Sequence, residues 1–441
     1  MAEISSNGFV GANNVNESFS QKGLLSPRII LNADVNLDSS LSVRKGQTLY
    51  VTLAGAHSLW AGKTCMLCAA GKKLYRVANG VATQVSTLTG PDEPLSYIDA
   101  YDKVYISNAY WQGIFNPADN SVSAWGVSLP PGPMLLSGAG NLPAGTYAVC
   151  MTNVSGDEIS GSGAITSITL TAEGGIQVLN RPVGALVWAT DANEGIFYRI
   201  GATNNIVTIP TVEPLPSFLC SPPPYMTNLC FAFGRIWGSV SDSVYYSEPF
   251  QPGWFRLTSN KYEFEDEVTM IAKVPTGLFI GMRKKTRFLE GTIPEEMKLM
   301  DAGPGSISGT LAYCNNLPEL GWTLGTAEKD FADVPVWLTE EGVVVGSPSG
   351  KFFNVTKNKL KMGIPERGAS LYRNMEGVIQ YLTSFKTGTT GTGRGFRDTE
   401  TYNAFKDGKI DMHEKTLNDD IARVGFSDSA SCKVYRDGVE I

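Results

Sequence analysis

Three glutamates in the stretch "YEFEDEV" (residues 262–268) are the strongest catalytic-looking carboxylates in the sequence: Glu263, Glu265 and Glu267 alternate with Phe264, Asp266 and Val268. On a strand, where side chains alternate sides, all three would share one face. Glycoside hydrolysis needs two carboxyl groups held across a cleft in different environments, whereas adjacent like charges also describe a solvated edge. Shortly afterwards "MRKKTRF" (282–288) crowds Arg283, Lys284, Lys285 and Arg287 around an expected hairpin turn. Four cations there can meet phosphate, an acidic neighbour, another subunit or only water.

A second stretch, "GAHSLWAGKTCMLCAAGKKLYRV" (55–77), offers a Gly-Lys-Thr, a Cys-x-x-Cys and one of two histidines. A phosphate loop leaves four residues between its first Gly and the Gly-Lys-Thr, so that successive N–H groups curl around the anion. Here six residues, "AHSLWA", separate Gly55 from Gly62, and a strand-like run follows instead of a helix. Lys63 is therefore expected on an ordinary turn. Cys65 and Cys68 lack a second ligand pair for zinc and the helix start that activates a redox pair, which leaves two buried thiols. His57 and His413 could each serve a triad, yet neither stands near a G-x-S-x-G elbow. The look-alike "GSGAI" from Gly161 lacks the second glycine. No cofactor, metal or catalytic residue is expected.

The elements that would position these residues are strands. Val, Ile, Tyr, Phe and Trp runs end in Gly, Ser or Pro, and the 47 glycines and 24 prolines accompany only 18% charged residues. In "KKLYRVANGVATQVSTL" the Asn79-Gly80 pair marks a tight hairpin, since both residues tolerate positive φ. "SYIDAYDKVYISNAYWQGIFNP" repeats the scheme around Asp102 and Asn108. Further units occupy 235–255, 269–291 and 336–356. Strand–turn–strand units of about 30–60 residues, with no alternating helices, predict propeller blades. Between the Pro-rich "SLPPGPM" and "EPLPSFLCSPPPY" several short strands have the rhythm of an immunoglobulin- or fibronectin-like sandwich.

The fold class expected is thus all-β: a β-propeller-like domain with an inserted immunoglobulin/fibronectin-like β-sandwich. The expected divisions are a polar arm at 1–28, a first propeller part at 29–130, the sandwich at 131–215, a second propeller part at 216–368, and an assembly or closure segment at 369–441. Charge excludes a broad phosphate-gripping surface: the formal net charge is −7, without a basic block. The longest apolar runs, such as "GVVVG", are far shorter than the roughly 20 residues of a membrane helix. The N-terminus has neither a basic start nor an apolar centre, so no signal peptide is expected and synthesis is placed in the cytoplasm. Seven scattered cysteines fit reduced core thiols there.

Several phrases together, "AGAHSLWAGKTCMLCAAGKKLYRV", "DKVYISNAYWQGIF", "LPAGTYAVCMTN" with "GDEISG", "GRIWGSVSDSVYYSEPFQPGWF" and "GLFIGMRKKTRFLEG", resemble structural proteins of tailed bacteriophages that form β-propeller rings in short tails, as hub, nozzle or tail-tube components. The resemblance covers most of residues 30–360. It implies a ring of identical subunits, typically six, around the channel through which double-stranded DNA leaves, stacked beneath portal and adaptor proteins and docking other tail proteins. An acidic lumen would keep the phosphate backbone from sticking. Two other readings stay open. One is a propeller that binds or cleaves glycans through Glu265 and an aromatic such as Trp254, which loss of sugar cleavage in Glu265→Gln would reveal. The other is a sandwich that binds a receptor.

Overall fold

The computed structural model describes residues 49–314 and 334–356, together with 19–21, 24–26, 33–35, 40–43, 365–375, 378–387, 435–436 and 439–440. Most of the expected N-terminal arm, His413, Cys432 and nearly all of the Gly/Thr stretch 386–396 lie outside them.

Among the described residues the one helical element is a 3-10 turn at Pro294–Glu296, and every strand ladder is antiparallel. Five four-stranded sheets are meanders, with strands paired in sequence order. The first comprises Ala56–Ala61, Met66–Ala70, Lys73–Ala78 and Val81–Thr87. The second runs Ser96–Ala100, Lys103–Ser107, Gln112–Asn116 and Ser121–Ser123. A third uses Thr227–Ala232, Arg235–Val240, Ser243–Tyr246 and Lys261–Glu263. The fourth contains Val268–Val274, Gly277–Met282, Lys285–Glu290 and Lys298–Pro304. Ala312–Cys314, Val334–Thr339, Gly342–Gly346 and Phe352–Asn354 make the fifth. The chain is all-β and β-propeller-like, built from blade-type sheets.

Turn chemistry explains why the strands fold back so tightly. Asn79 and Gly80 hold φ of 51° and 75°, the mirror-image turn whose twist matches a hairpin. Tyr101 and Asp102 do the same at 50° and 58°. The Asn108 side chain accepts the N–H groups of Tyr110 and Trp111, both at 2.8 Å, and so closes the next turn.

Two compact units result. Ser58–Ala78 with Thr83–Phe264 carries nearly all of the first meander, the second and third meanders, and the insert; Met1–His57, Asn79–Ala82 and Glu265–Ile441 carries the fourth and fifth meanders. The boundary after Phe264 falls inside the stretch expected as the second propeller part. Within the first unit, Leu67 and Leu74 pack with Tyr97, Val104 and Phe115, while Tyr105 and Trp125 pack with Ile236 and Phe255. Successive meanders cover each other's apolar faces, the arrangement that lets small sheets avoid water. In the other unit Ala272 and Phe279 pack with Trp337 and Val344.

Between the second and third meanders the chain builds two more sheets. Leu135–Leu142, Gly174–Val178 and Asn205–Ile206 form one, and Thr166–Leu170, Gly145–Thr152, Leu186–Thr190 and Phe197–Gly201 the other. Leu142, Tyr147, Val149, Ile176, Val187 and Ile206, drawn from both, share one buried cluster. The opposite face of the four-stranded sheet buries Cys150 and Trp188 against Leu215 and Phe218, which is why the insert belongs to the same unit as the meanders beside it in sequence.

A long hairpin, Pro365–Met375 with Val378–Thr387, begins before the boundary expected at 369. Its Tyr372 and Tyr381 pack on Cys314, Val334 and Val345 of the fifth meander, and the Tyr381 hydroxyl donates to the Thr310 carbonyl at 2.6 Å.

Candidate functional site

The acidic and basic clusters meet each other. Strand Lys261–Glu263 ends at Glu263, and 264–267 form the link into the fourth meander. The three glutamates therefore do not line one strand face. Phe264 is buried, which bends the link so that Glu263 stays with Lys261, at 2.5 Å, while Glu265 and Glu267 reach the turn at 283–284 and the strand after it. Arg287 donates from Nε to Glu265 at 3.0 Å and from Nη2 at 2.8 Å. Its Nη1 pairs with Asp301, its direct cross-strand neighbour. Lys285 also pairs with Glu265, and Arg283 with Glu267.

Three cations thus face three carboxylates, and the turn is close to neutral where the sequence suggested a positive tip. No ion pair involving Lys284 is found among the described residues. Asp301 escaped the sequence reading; its only signal is its position opposite Arg287 once the hairpin register is known. Glu265 has its Oε1 engaged by both Arg287 and Lys285, the opposite of a proton donor waiting in an apolar cleft. Replacing Glu265 by glutamine should lower stability by about 1 kcal/mol in urea unfolding at low salt, the upper end for solvent-screened pairs. The loss should shrink in 1 M salt, because these side chains remain partly exposed.

The look-alike motifs resolve as architecture. The Lys63 N–H donates to the Asp99 carboxylate at 3.1 Å, so the Gly-Lys-Thr turn already caps its own amide with an anion. No helix follows it: Met66–Ala70 is a strand. A Cβ at Gly62 would strike the Trp60 ring and Asp99, which accounts for that glycine without a phosphate. Trp60 stacks on Tyr97 at 5.5 Å. Cys65 and Cys68 are both free thiols, with Cys65 packed beside Leu67 and Ala69 and Cys68 in the adjacent strand position. No group of three or more His, Cys, Asp or Glu side chains able to hold a metal is found among the described residues.

Burial raises the Cys68 thiol and pushes Cys150, fully buried, up to about 12 from the ordinary 9.0. Because the folded value lies above the unfolded one, the neutral thiol's contribution to stability is complete below about pH 9 and fades as pH climbs toward 12. Thiolate is the nucleophile, so a maleimide at pH 8 should leave Cys150 unmodified in the native protein and label it in urea. Peptide mass spectrometry reads the difference.

One cleft of about 240 Å3 is lined by Asp157, Glu158, Ile159, Gln251, Gly253 and Trp254. Trp254, expected beside Glu265, instead shares this cleft with two carboxylates from the hairpin Val154–Ser155 and Glu158–Ile159. Its indole N–H donates to the Ile159 carbonyl at 2.8 Å, pinning the two walls together.

No protein-family model matches the chain, and no curated protein is significantly similar to it. Similar solved structures include BBS1N in complex with ARL6DN, 10% identical over 76% of this chain and 90% of that one, with a TM-score of 0.31. AztD from Citrobacter koseri is 11% identical over 80% and 94%, with a TM-score of 0.27. The N-terminal domain of Nup159 is 11% identical over 75% and 73%, with a TM-score of 0.26. Likeness at this level concerns the fold alone, and the fold assignment rests on the chain's own meanders.

Proposed function

We propose that this chain is a non-enzymatic structural protein of a bacteriophage tail, a hub, nozzle or tail-tube ring that forms part of the channel for genome ejection and docks other tail proteins. The observation that carries the reading is the two-sheet insert at 135–206, set between the second and third blade-type meanders. In the tail proteins that this sequence resembles, the segment that here reads "AGTYAV" and then "GDEISG" marks such an insert. The insert is read as an immunoglobulin- or fibronectin-like sandwich offered to a neighbouring subunit or tail component. Its location is the tail of the virion, after synthesis in the host cytoplasm.

Charge supports a conduit. Three of the four cations on the 282–288 turn are neutralised within the chain, which leaves few charges to release counterions from a passing duplex. With a net charge of −7, a wall of this kind lets DNA slide instead of gripping it. Electron microscopy of the purified protein, alone and with its tail partners, tests the reading. A closed ring of identical subunits, typically six, is expected. A protein that stays monomeric with those partners present would sink it.

A further inference from the structure

We infer that the Trp254 cleft is a binding site for one guanidinium group. The walls come from two tightly held elements of one unit. On one side the hairpin Val154–Ser155 and Glu158–Ile159 presents Asp157 and Glu158, both exposed to water at its end. On the other, residues 248–254 fold into a turn closed by Glu248 N–H to the Trp254 carbonyl at 2.8 Å and Trp254 N–H to the Gln251 carbonyl at 3.2 Å. The Trp125 indole also donates to the Pro252 carbonyl at 2.8 Å, and the Trp254 indole to Ile159. The cleft is therefore preformed, and binding need not order it.

The inventory of donors and acceptors selects the ligand. The two carboxylates offer acceptors, and the Trp254 N–H is already committed. Gln251 supplies the one side-chain amide in the lining. A ligand that donates more than it accepts suits these side chains, and one that can lie against an indole suits the Trp254 wall. A planar cation with several N–H groups does both, through hydrogen bonds to the carboxylates and attraction to the ring's negative face. Guanidinium fits better than ammonium because it is flat and more weakly hydrated. A sugar would ask for as many donors as acceptors. The volume of about 240 Å3 lies below the roughly 300–1,000 Å3 of whole small-molecule pockets and suits a single head group.

The test uses the full chain, 15N-labelled, with ethylguanidinium as probe and the Trp254 indole N–H resonance as readout, assigned by its loss in Trp254→Phe. A saturable shift is expected, weaker for ethylammonium and at high salt. The double variant Asp157→Asn with Glu158→Gln, both at exposed positions, should weaken it at least tenfold with an unchanged fold by circular dichroism. No saturable shift, an equal shift in the double variant, or saturation by methyl glucoside in place of ethylguanidinium would overturn the assignment. Sedimentation in parallel separates the sources of the group. Dissociation of an assembled species by the probe supports an arginine of a second copy, and unchanged sedimentation beside saturable binding supports a different molecule. Neither depends on the tail reading, because a site in a chain that never forms rings would still pass the binding arm.

Discussion

Trp237→Ala should destabilise the protein by about 3–5 kcal/mol, the range for truncating a buried tryptophan. Trp237 lies in the third meander with no exposed surface, and its ring centroid stands 4.7 Å from that of Tyr246 and 6.5 Å from that of Tyr262. Its indole N–H donates to the Ala232 carbonyl at 3.1 Å, so truncation also strips a partner from a buried acceptor. Tyr246 in turn carries Arg235 over its ring at 5.4 Å, which extends the damage toward the surface. Against a total stability of about 5–15 kcal/mol this is a large fraction. Urea unfolding followed by circular dichroism measures it, and Trp237→Phe, which keeps an aromatic ring, should lose less. A loss below about 1 kcal/mol would mean that the third meander is not packed as described.

The second large effect is expected from the smallest substitution. At Gly161 an added Cβ would lie 1.6 Å from the Cys220 carbonyl oxygen, a backbone atom that has no flexible end to swing away. The site is a staple between the insert and the linker behind it: the Ser217 hydroxyl donates to the Ser160 carbonyl at 2.7 Å, and the Leu219 N–H to the Ser162 hydroxyl at 3.2 Å. Gly161→Ala should force these segments apart and cost about 3 kcal/mol, the upper end for overpacking. Gly195→Ala is the control. It has nothing within 4 Å of its added Cβ, and its stability should stay within about 0.5 kcal/mol of the parent. Equal behaviour of the two variants would contradict the close approach at Gly161.

That glycine had looked like part of a failed nucleophile elbow, and its actual role shows where a single sequence stops being readable. Tight turns were legible because their causes are local. Asn79 and Asp102 carry their conformational preference in short polar side chains and Gly80 in its lack of one, and the meanders around them follow. Tyr101 and Phe233 also take positive φ, at 50° and 54°, and nothing in their chemistry announces it. Their neighbours in the meanders impose it, overriding local preference.

The charged clusters were legible as residues and illegible as a pair. Alternation of Glu263, Glu265 and Glu267 looks the same on a strand and on a bent link. Burial of Phe264 and the Arg287 side chain reaching Glu265 decide between them, and both depend on how the fourth meander packs. Trp254 poses the same difficulty at longer range. Its cleft partners Asp157 and Glu158 stand nearly a hundred residues earlier in the sequence, in an insert whose contact with the 248–254 turn is set by tertiary packing.

The division of the chain after Phe264 also bears on how the protein is made. Ser58–Ala78 and Thr83–Phe264 are nearly continuous in sequence, so almost every pairing in that unit is available once the ribosome has passed residue 264. The fourth and fifth meanders of the other unit lie wholly beyond residue 264, so it waits for those strands to be made. Hairpins with short loops form in microseconds, far faster than residues are added at about 5–20 per second. The first unit is thus expected to be native on the ribosome while the strands of the second are still being synthesised, and stalled chains ending beyond residue 264 should already resist protease up to Phe264.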